Sequence, residues 1–189
     1  MKVKNILVLS AKLTGQDEIA EYLEKGVAKD FSACEQETEK LLYAYNMTIY
    51  DLAADYAPLI KIYEKENAMQ VYYSEFSDHP LDVYSVCDEK GNELAYEHND
   101  SGIAFDKLQN KVIVKYFYVP DERGLNDECD YGDLDRITPR AISLGVAAEY
   151  LRAKGIFSQA AEMQKKFEES VRACVRPKGK LVLPKRRWV

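Results

Sequence analysis

The stretch Lys111-Val-Ile-Val-Lys-Tyr-Phe-Tyr118 carries the strand pattern that decides the fold. Val112, Val114, Tyr116 and Tyr118 alternate along this stretch with a second set of side chains, Lys111, Ile113, Lys115 and Phe117. The β-branched and aromatic residues in both sets are typical of strands. The second set, which includes Ile113, is partly apolar, so we expect both faces of this strand to be partly covered.

The segments before this stretch share its composition. Five further runs are short, rich in Val, Ile, Tyr and Phe, and mostly separated by turn residues: Leu59–Lys65, Met69–Phe76, Leu81–Asp88, Glu93–His98 and Gly102–Phe105. Glu89–Asn92 and Lys107–Asn110 are typical of hairpin connections. Because no helical pattern separates the runs, the sequence predicts an antiparallel sheet over residues 59–120.

The N-terminal segment favours a helix over a strand. Ile6–Leu9 followed by Gly15 resembles the opening of a doubly wound α/β enzyme, but a single glycine is too few for a phosphate-binding turn. Val3, Leu7 and Ala11 instead recur at helical spacing. We therefore predict a helix here.

Two more helices are predicted before the sheet. Thr14 and Asp17 form a capping-box pattern for a helix over roughly 15–25, which Gly26 ends. Asp30 or Ser32 then caps a longer helix that ends at Pro58. Its apolar side chains recur in steps of three and four, as one buried face requires, at Leu41, Leu42, Tyr45, Ile49, Leu52, Ala53 and Tyr56.

A helical hairpin is predicted after the sheet. Thr138 as N-cap and Pro139 at the first helical position start a helix that continues to about Lys154 and breaks at Gly155. Ser158 is the predicted cap of a second helix. One face of that second helix carries Ala160, Met163, Phe167, Val171 and Cys174, and the helix ends before Pro177.

The order of these patterns predicts an α+β fold: a helical bundle formed by N- and C-terminal helices, with an inserted antiparallel β-domain and an extended C-terminal arm. The expected ranges are 1–58 for the N-terminal helices, 59–120 for the β-domain, 121–137 for an acidic loop, 138–176 for the C-terminal helical hairpin and 177–189 for the arm.

Composition narrows the class of protein. The 189 residues are 47% hydrophobic and 31% charged, which suits one globular domain or two small ones. The four cysteines form no CxxC pair, so neither a disulfide framework nor a zinc site is expected. The same scattered cysteines favour reduced thiols in a cytosolic setting. No apolar run has the length of a signal-peptide core or a membrane span.

Catalytic and metal-binding patterns are weak. His79 and His98 have no cysteine or aspartate at ligand or triad spacing, which favours two surface-loop histidines. The seven carboxylates of residues 121–135 do not match the spacing of a calcium loop, so a solvated acidic loop, or one that meets a basic partner, is the better interpretation. No catalytic, metal-binding or cofactor-binding residue is therefore predicted, and no cofactor or enzyme activity is expected.

Tyrosine outnumbers phenylalanine, 14 to 6, and many tyrosines fall in the predicted sheet. They are Tyr72, Tyr73, Tyr84, Tyr96, Tyr116 and Tyr118. An ordinary thin sheet and an interface sheet both explain them, since tyrosine is enriched at protein contacts.

The charge is unevenly distributed. Arg172 to Val189 contain seven basic residues and no acidic one, so the 19 basic and 32 acidic residues before Arg172 give that part a net charge of −13. The basic tail could be a solvated terminus, a binder of nucleic-acid phosphates or a docking arm. The apolar Leu181–Leu183 and the single tryptophan, Trp188, favour a docking arm that orders on a partner.

The chain resembles the head-to-tail adaptor, or connector, proteins of tailed bacteriophages. The resemblance rests on Pro139–Met163, with its Gly-Val-Ala-Ala-Glu-Tyr block, on Phe167 and on Pro184–Val189, and Ala54–Leu59 is similar to the segment that closes the second helical region in that family. The order of helices, β-insertion, helical hairpin and tail is also similar.

The resemblance implies a structural role in the virion. Such adaptors form a ring, commonly of twelve copies, beneath the portal protein, extend the DNA channel without specific DNA binding and present a surface to tail proteins. No membrane is involved. The resemblance extends to the arm of this chain, whose predicted partner-binding residues are Lys178, Lys180, Leu181, Leu183, Lys185, Arg186, Arg187, Trp188 and Val189. The alternative function is a nucleic-acid-binding module that uses the same basic tail.

Overall fold

Helices from both ends of the chain flank a sheet in the computed structural model, which describes residues 1–131 and 137–175. The helices are α1 (Val3–Leu13), α2 (Asp17–Lys25), α3 (Phe31–Asp51), α4 (Pro139–Ala153) and α5 (Phe157–Val175). The strands are β1 (Leu59–Tyr72), β2 (Pro80–Cys87), β3 (Glu97–Asn99) and β4 (Gly102–Tyr118). The α+β fold class is confirmed, while the predicted arm at 177–189 lies outside the described residues.

The helix starts follow local capping chemistry, with two corrections. Asp30 caps α3 by accepting the Ala33 N–H at 3.0 Å, as predicted. The prediction that Thr14 caps α2 is wrong, because its hydroxyl hydrogen-bonds back to carbonyls of the last turn of α1. The predicted Ser158 cap is also wrong, since α5 begins one residue earlier and Ser158 lies in its first turn.

The predicted end of α2 and start of α4 are confirmed, whereas α3 ends at Asp51 and not at the predicted Pro58. Gly26 ends α2 in a left-handed conformation with a φ of 70°. The Thr138 hydroxyl accepts the Ala141 N–H at 3.2 Å, and Pro139 starts α4. After α3 the chain continues through one π-helical turn, Leu52–Tyr56, before it enters the sheet.

Helix α4 is the centre of the bundle. Ten of its 15 residues are buried, because α1, α3 and α5 all pack against it. Gly145 permits this close packing: a Cβ added there would lie 2.5 Å from Cγ2 of Thr48 and 3.0 Å from the ring of Phe167. Side chains from all five helices contribute to one hydrophobic core.

The sheet has fewer and longer strands than predicted. Leu59–Lys65 joins the first half of Met69–Phe76 in the single strand β1, and Gly102–Phe105 joins Lys111–Tyr118 in β4. The predicted hairpin at Lys107–Asn110 is wrong, because these residues continue β4 and the extra length is absorbed by a bulge in its pairing with β1. The turn at 89–92 is confirmed by the Asp88 N–H, which donates to the Asn92 carbonyl at 2.9 Å.

All strand pairs are antiparallel, with the order β1-β4-β2 and β3 paired to β4. One face of the sheet forms a second hydrophobic core around Val112, Val114 and Tyr116. Phe76, just after β1, covers this face and stacks on Tyr116 with ring centroids 4.3 Å apart. We call this covered face the inner face of the sheet.

The bundle core and the sheet core meet at the base of the sheet. Leu59 belongs to the bundle core and pairs with Tyr118, which packs against both cores. The Tyr131 hydroxyl donates to the Ala57 carbonyl at 2.9 Å and fixes the chain just before β1. The inserted β-domain is therefore attached to the bundle by packed side chains as well as by its two chain connections.

Candidate interaction surfaces

A cleft beside the start of β2 brings together the two histidines of the chain. His79 and His98 line a cavity of about 410 Å³, together with Tyr73, Ser74, Pro80, Leu81, Asp82 and Val83. The Tyr73 hydroxyl and Nδ1 of His98 share a hydrogen bond of 2.8 Å. Sequence reasoning placed both histidines in surface loops and gave no sign that they meet, because 19 positions separate them and strand pairing brings them together.

The cleft is apolar on one side and polar on the other. Pro80, Leu81 and Val83 supply the apolar wall, while Ser74 and Asp82 supply a hydroxyl and a carboxylate. Burial raises the pKa of the Tyr73 phenol, and the negative charge of Asp82 adds to the rise. Such a lining suits an apolar or aromatic group that carries a hydrogen-bond donor or a positive charge.

A second surface lies on the outer face of the sheet, opposite the inner face. Ile60, Ile62 and Tyr84 are 50%, 60% and 59% exposed. The ring of Tyr84 packs against Phe117, with ring centroids 5.4 Å apart. The side chains of β4 on this face, Ile113, Lys115 and Phe117, are half-buried, so the expectation that both faces of β4 are partly covered is confirmed.

A third surface follows α3 on the side away from the bundle core. Tyr43, Met47 and Tyr50 lie at successive helical steps and are 66%, 39% and 48% exposed. Lys40 and the α4 residues Glu149 and Arg152 border it. The sequence prediction missed this stripe because it followed only the buried stripe of α3, although the same periodicity marks both.

The tyrosines of the sheet divide between core and surface. Tyr116 is buried in the sheet core, whereas Tyr72 and Tyr84 are 42% and 59% exposed. Some tyrosines therefore fit an ordinary thin sheet, in which they fill the core, and others fit an interface sheet, in which they are exposed for contact. The exposed ones supply contact area with little loss of side-chain freedom.

The acidic loop is ordered in its described part, residues 121–131, and is not simply solvated. Arg123 forms a two-point ion pair with Asp130, with nitrogen–oxygen distances of 2.5 and 3.0 Å. The Asn46 side chain bonds the backbone N–H of Arg123 at 3.0 Å. The carbonyls of Leu125 and Asp127 accept the first two N–H groups of α1, so the loop caps that helix.

A charged cluster ties α3 to the end of α4. Glu37 accepts hydrogen bonds from the Tyr150 hydroxyl, from Lys40 at 2.8 Å and from Lys154 at 2.7 Å. Desolvation opposes ionisation of Glu37, but the bonds from Lys154, Lys40 and Tyr150 outweigh it and lower its pKa to about 2. This cluster is a structural clamp between the two helices.

The described residues contain no group of three or more His, Cys, Asp or Glu side chains arranged to hold a metal ion. Within the same ranges, no helix has the length and apolar character needed to cross a membrane. The predicted partner-binding residues of the arm, from Lys178 to Val189, lie beyond these ranges. The described residues form three candidate binding surfaces: the cleft, the outer face of the sheet and the α3 stripe.

No protein-family model matches the chain, and no curated protein matches it.

Proposed function

We propose that this protein is a structural head-to-tail adaptor of a bacteriophage virion. Copies of the chain form a ring beneath the portal, extend the DNA channel and link the capsid to the tail. The resemblance of Pro139–Met163 and of the basic arm to adaptor proteins supports the proposal, and so does the bundle with its inserted sheet.

One observation carries the ring-forming part of the proposal: the chain has two different exposed apolar surfaces. The outer face of the sheet presents Ile60, Ile62 and Tyr84, and the α3 stripe presents Tyr43, Met47 and Tyr50. A ring needs a heterologous contact, in which one surface of each copy meets a different surface of the next. Two surfaces on separate parts of one chain meet that requirement, whereas a two-fold dimer needs only one.

The uneven charge of the chain supports both the proposed DNA channel and the proposed attachment of the ring to its partner. The part of the chain before Arg172 has a net charge of −13, and an acidic lining would keep DNA from adhering to the ring. The arm at 177–189 carries basic and apolar residues and would attach the ring to its acidic or apolar partner surface.

Electron microscopy of the protein mixed with a candidate portal tests the function. We expect rings seated on the portal, and we expect deletion of residues 177–189 to abolish portal binding while circular dichroism stays unchanged. Truncated protein that binds the portal as well as the full chain contradicts the role of the arm. DNA binding that falls steeply with salt would instead support the nucleic-acid-binding alternative.

Paired surface variants test the heterologous contact. Ile62→Asp disables the outer face and Tyr43→Asp disables the α3 stripe, so we expect neither variant to assemble alone on the portal. A mixture of the two retains one intact contact and should form dimers of one copy of each variant, which cannot extend further. Leu108→Asp is the matched control, because Leu108 is 59% exposed and lies outside both surfaces. Equal assembly by all three variants contradicts the proposed contact.

A further inference from the structure

We propose that the cleft beside β2 receives Trp188 of the same chain, so that the basic arm is held on its own β-domain before assembly. The later binding of the arm to the portal rests on the proposed function. Docking of the arm in the cleft does not, because it involves this chain alone. The cleft is then the binding site of one segment, the arm at residues 176–189.

The shape and lining of the cleft fit an indole. Its volume of about 410 Å³ lies in the range of pockets that bind small ligands. Pro80, Leu81 and Val83 provide the apolar wall that a tryptophan ring needs. A buried indole N–H seeks an acceptor, and the cleft offers the Ser74 hydroxyl and the Asp82 carboxylate.

Charge favours the arm over other apolar segments. Residues 176–189 contain six basic residues and no acidic one, and Arg186 and Arg187 directly precede Trp188. When the indole lies in the cleft, the neighbouring guanidinium groups are close to Asp82. Arginine–carboxylate pairing of this kind adds orientation as well as attraction.

The chain leaves the bundle near the sheet. In the middle of α5, Phe167 packs against Tyr56 with ring centroids 5.7 Å apart, and the charge of Arg172, in the last turn of α5, also acts on the Tyr56 phenol. Tyr56 directly precedes the connection to β1. The cleft begins at Pro80, which pairs with Tyr118 in the base row of the sheet beside Leu59. Fourteen residues beyond Val175 span up to about 46 Å when extended, which covers a small domain.

Intramolecular docking also has a concentration advantage. A tether of this length holds the arm near its cleft at an effective concentration on the order of millimolar. A contact too weak to join two separate copies is therefore sufficient within one chain. Portal binding would then release the arm by competition.

Tryptophan fluorescence of the full-length protein tests the proposal, because Trp188 is the only tryptophan. We expect emission shifted to shorter wavelength and acrylamide quenching several-fold weaker than for free tryptophan. Leu81→Lys should restore solvent-like emission and quenching, since it removes apolar contact and repels the arm. Tyr84→Lys is the matched control on the same strand and should leave the emission unchanged, because Tyr84 lies on the outer face of the sheet.

The same measurement separates the outcomes. Solvent-like emission in the unmodified protein overturns the proposal, and so does an unaltered shift in Leu81→Lys. A shift that disappears on dilution means that the arm docks on a neighbouring copy, which also overturns it. If the protein fails to bind a portal but shows the expected fluorescence, the proposed function is overturned and the docking of Trp188 in the cleft is still supported.

Discussion

Tyr45 and Tyr131 are both buried, but their hydroxyl groups differ in hydrogen bonding. Tyr131 donates to the Ala57 carbonyl at 2.9 Å. The Tyr45 hydroxyl has no hydrogen-bond partner of normal geometry among the described residues and faces the thiol of Cys129, a weak acceptor. Burial raises the pKa of Tyr45, so its phenol stays neutral.

This difference predicts opposite effects of the same substitution. Tyr45→Phe should raise the free energy of unfolding by about 1 kcal/mol, because it removes a buried polar group that lacks a good partner. Tyr131→Phe should lower the free energy of unfolding by about 1 kcal/mol, because it leaves the Ala57 carbonyl without its donor. Urea denaturation of both variants checks the prediction, and equal losses of stability would contradict it.

Glu37 should make stability depend on pH in a defined window. Its pKa falls from an ordinary 4.5 to about 2 in the folded chain, so its contribution is present above pH 4.5 and is lost as the pH falls toward 2. Glu37→Gln should lower the free energy of unfolding at pH 7 by about 1–2 kcal/mol, and the difference should vanish near pH 2. Denaturation across this pH range measures it, with the exposed Glu35→Gln as control. A constant difference at every pH would show that charge is not its cause.

At the scale of elements, Gly145 sets how closely α4 approaches its neighbours. Gly145→Ala gains about 1 kcal/mol of helix propensity but forces a methyl group against Thr48 and Phe167, an overpacking that costs about 1–3 kcal/mol. We expect a net loss of about 1 kcal/mol in urea denaturation. Thr48→Ser removes the nearest methyl and keeps a hydroxyl to bond the Ala44 carbonyl, so the double variant should recover part of the loss. Strict additivity of the two substitutions would exclude steric contact as the mechanism.

The helices were predictable because their signals are local. The Asp30 and Thr138 caps, the αL glycine at Gly26 and the buried stripe of α3 each depend on residues a few positions apart. The length of the strands was not predictable in this way. Lys107–Asn110 have the composition of a turn, but β1 pairs with β4 on both sides of the bulge, Ala68 with Gln109 and Gln70 with Ala104, so the chain does not reverse there.

The surfaces depend even more on tertiary structure. The cleft forms only because Tyr73 and Pro80 flank a segment that folds back over the sheet, while β3 brings His98 beside it. No spacing in the sequence encodes that meeting. The α3 stripe is the exception, since Tyr43, Met47 and Tyr50 could have been identified by periodicity alone.

At the scale of the whole molecule, the bundle and the sheet have separate cores that share Tyr118 at their junction. This arrangement allows the sheet to open while the bundle stays folded, since local stability follows local burial. Gly102 is the position that tests it. A Cβ added there would lie 2.0 Å from the Val71 carbonyl oxygen, a backbone atom that no side-chain rotation can move.

Gly102→Ala should therefore weaken the pairing of β1 with β4 without touching the bundle. We expect hydrogen exchange to show large losses of protection for amides of Val71 and Ile103, which pair beside Gly102, and little change in α1 and α4. Asp106→Ala, at an exposed position of β4, should change neither region. Equal loss of protection in sheet and bundle would mean that the contacts around Tyr118 couple the two cores into a single cooperative unit, in which case opening the sheet would also unfold the α3 stripe.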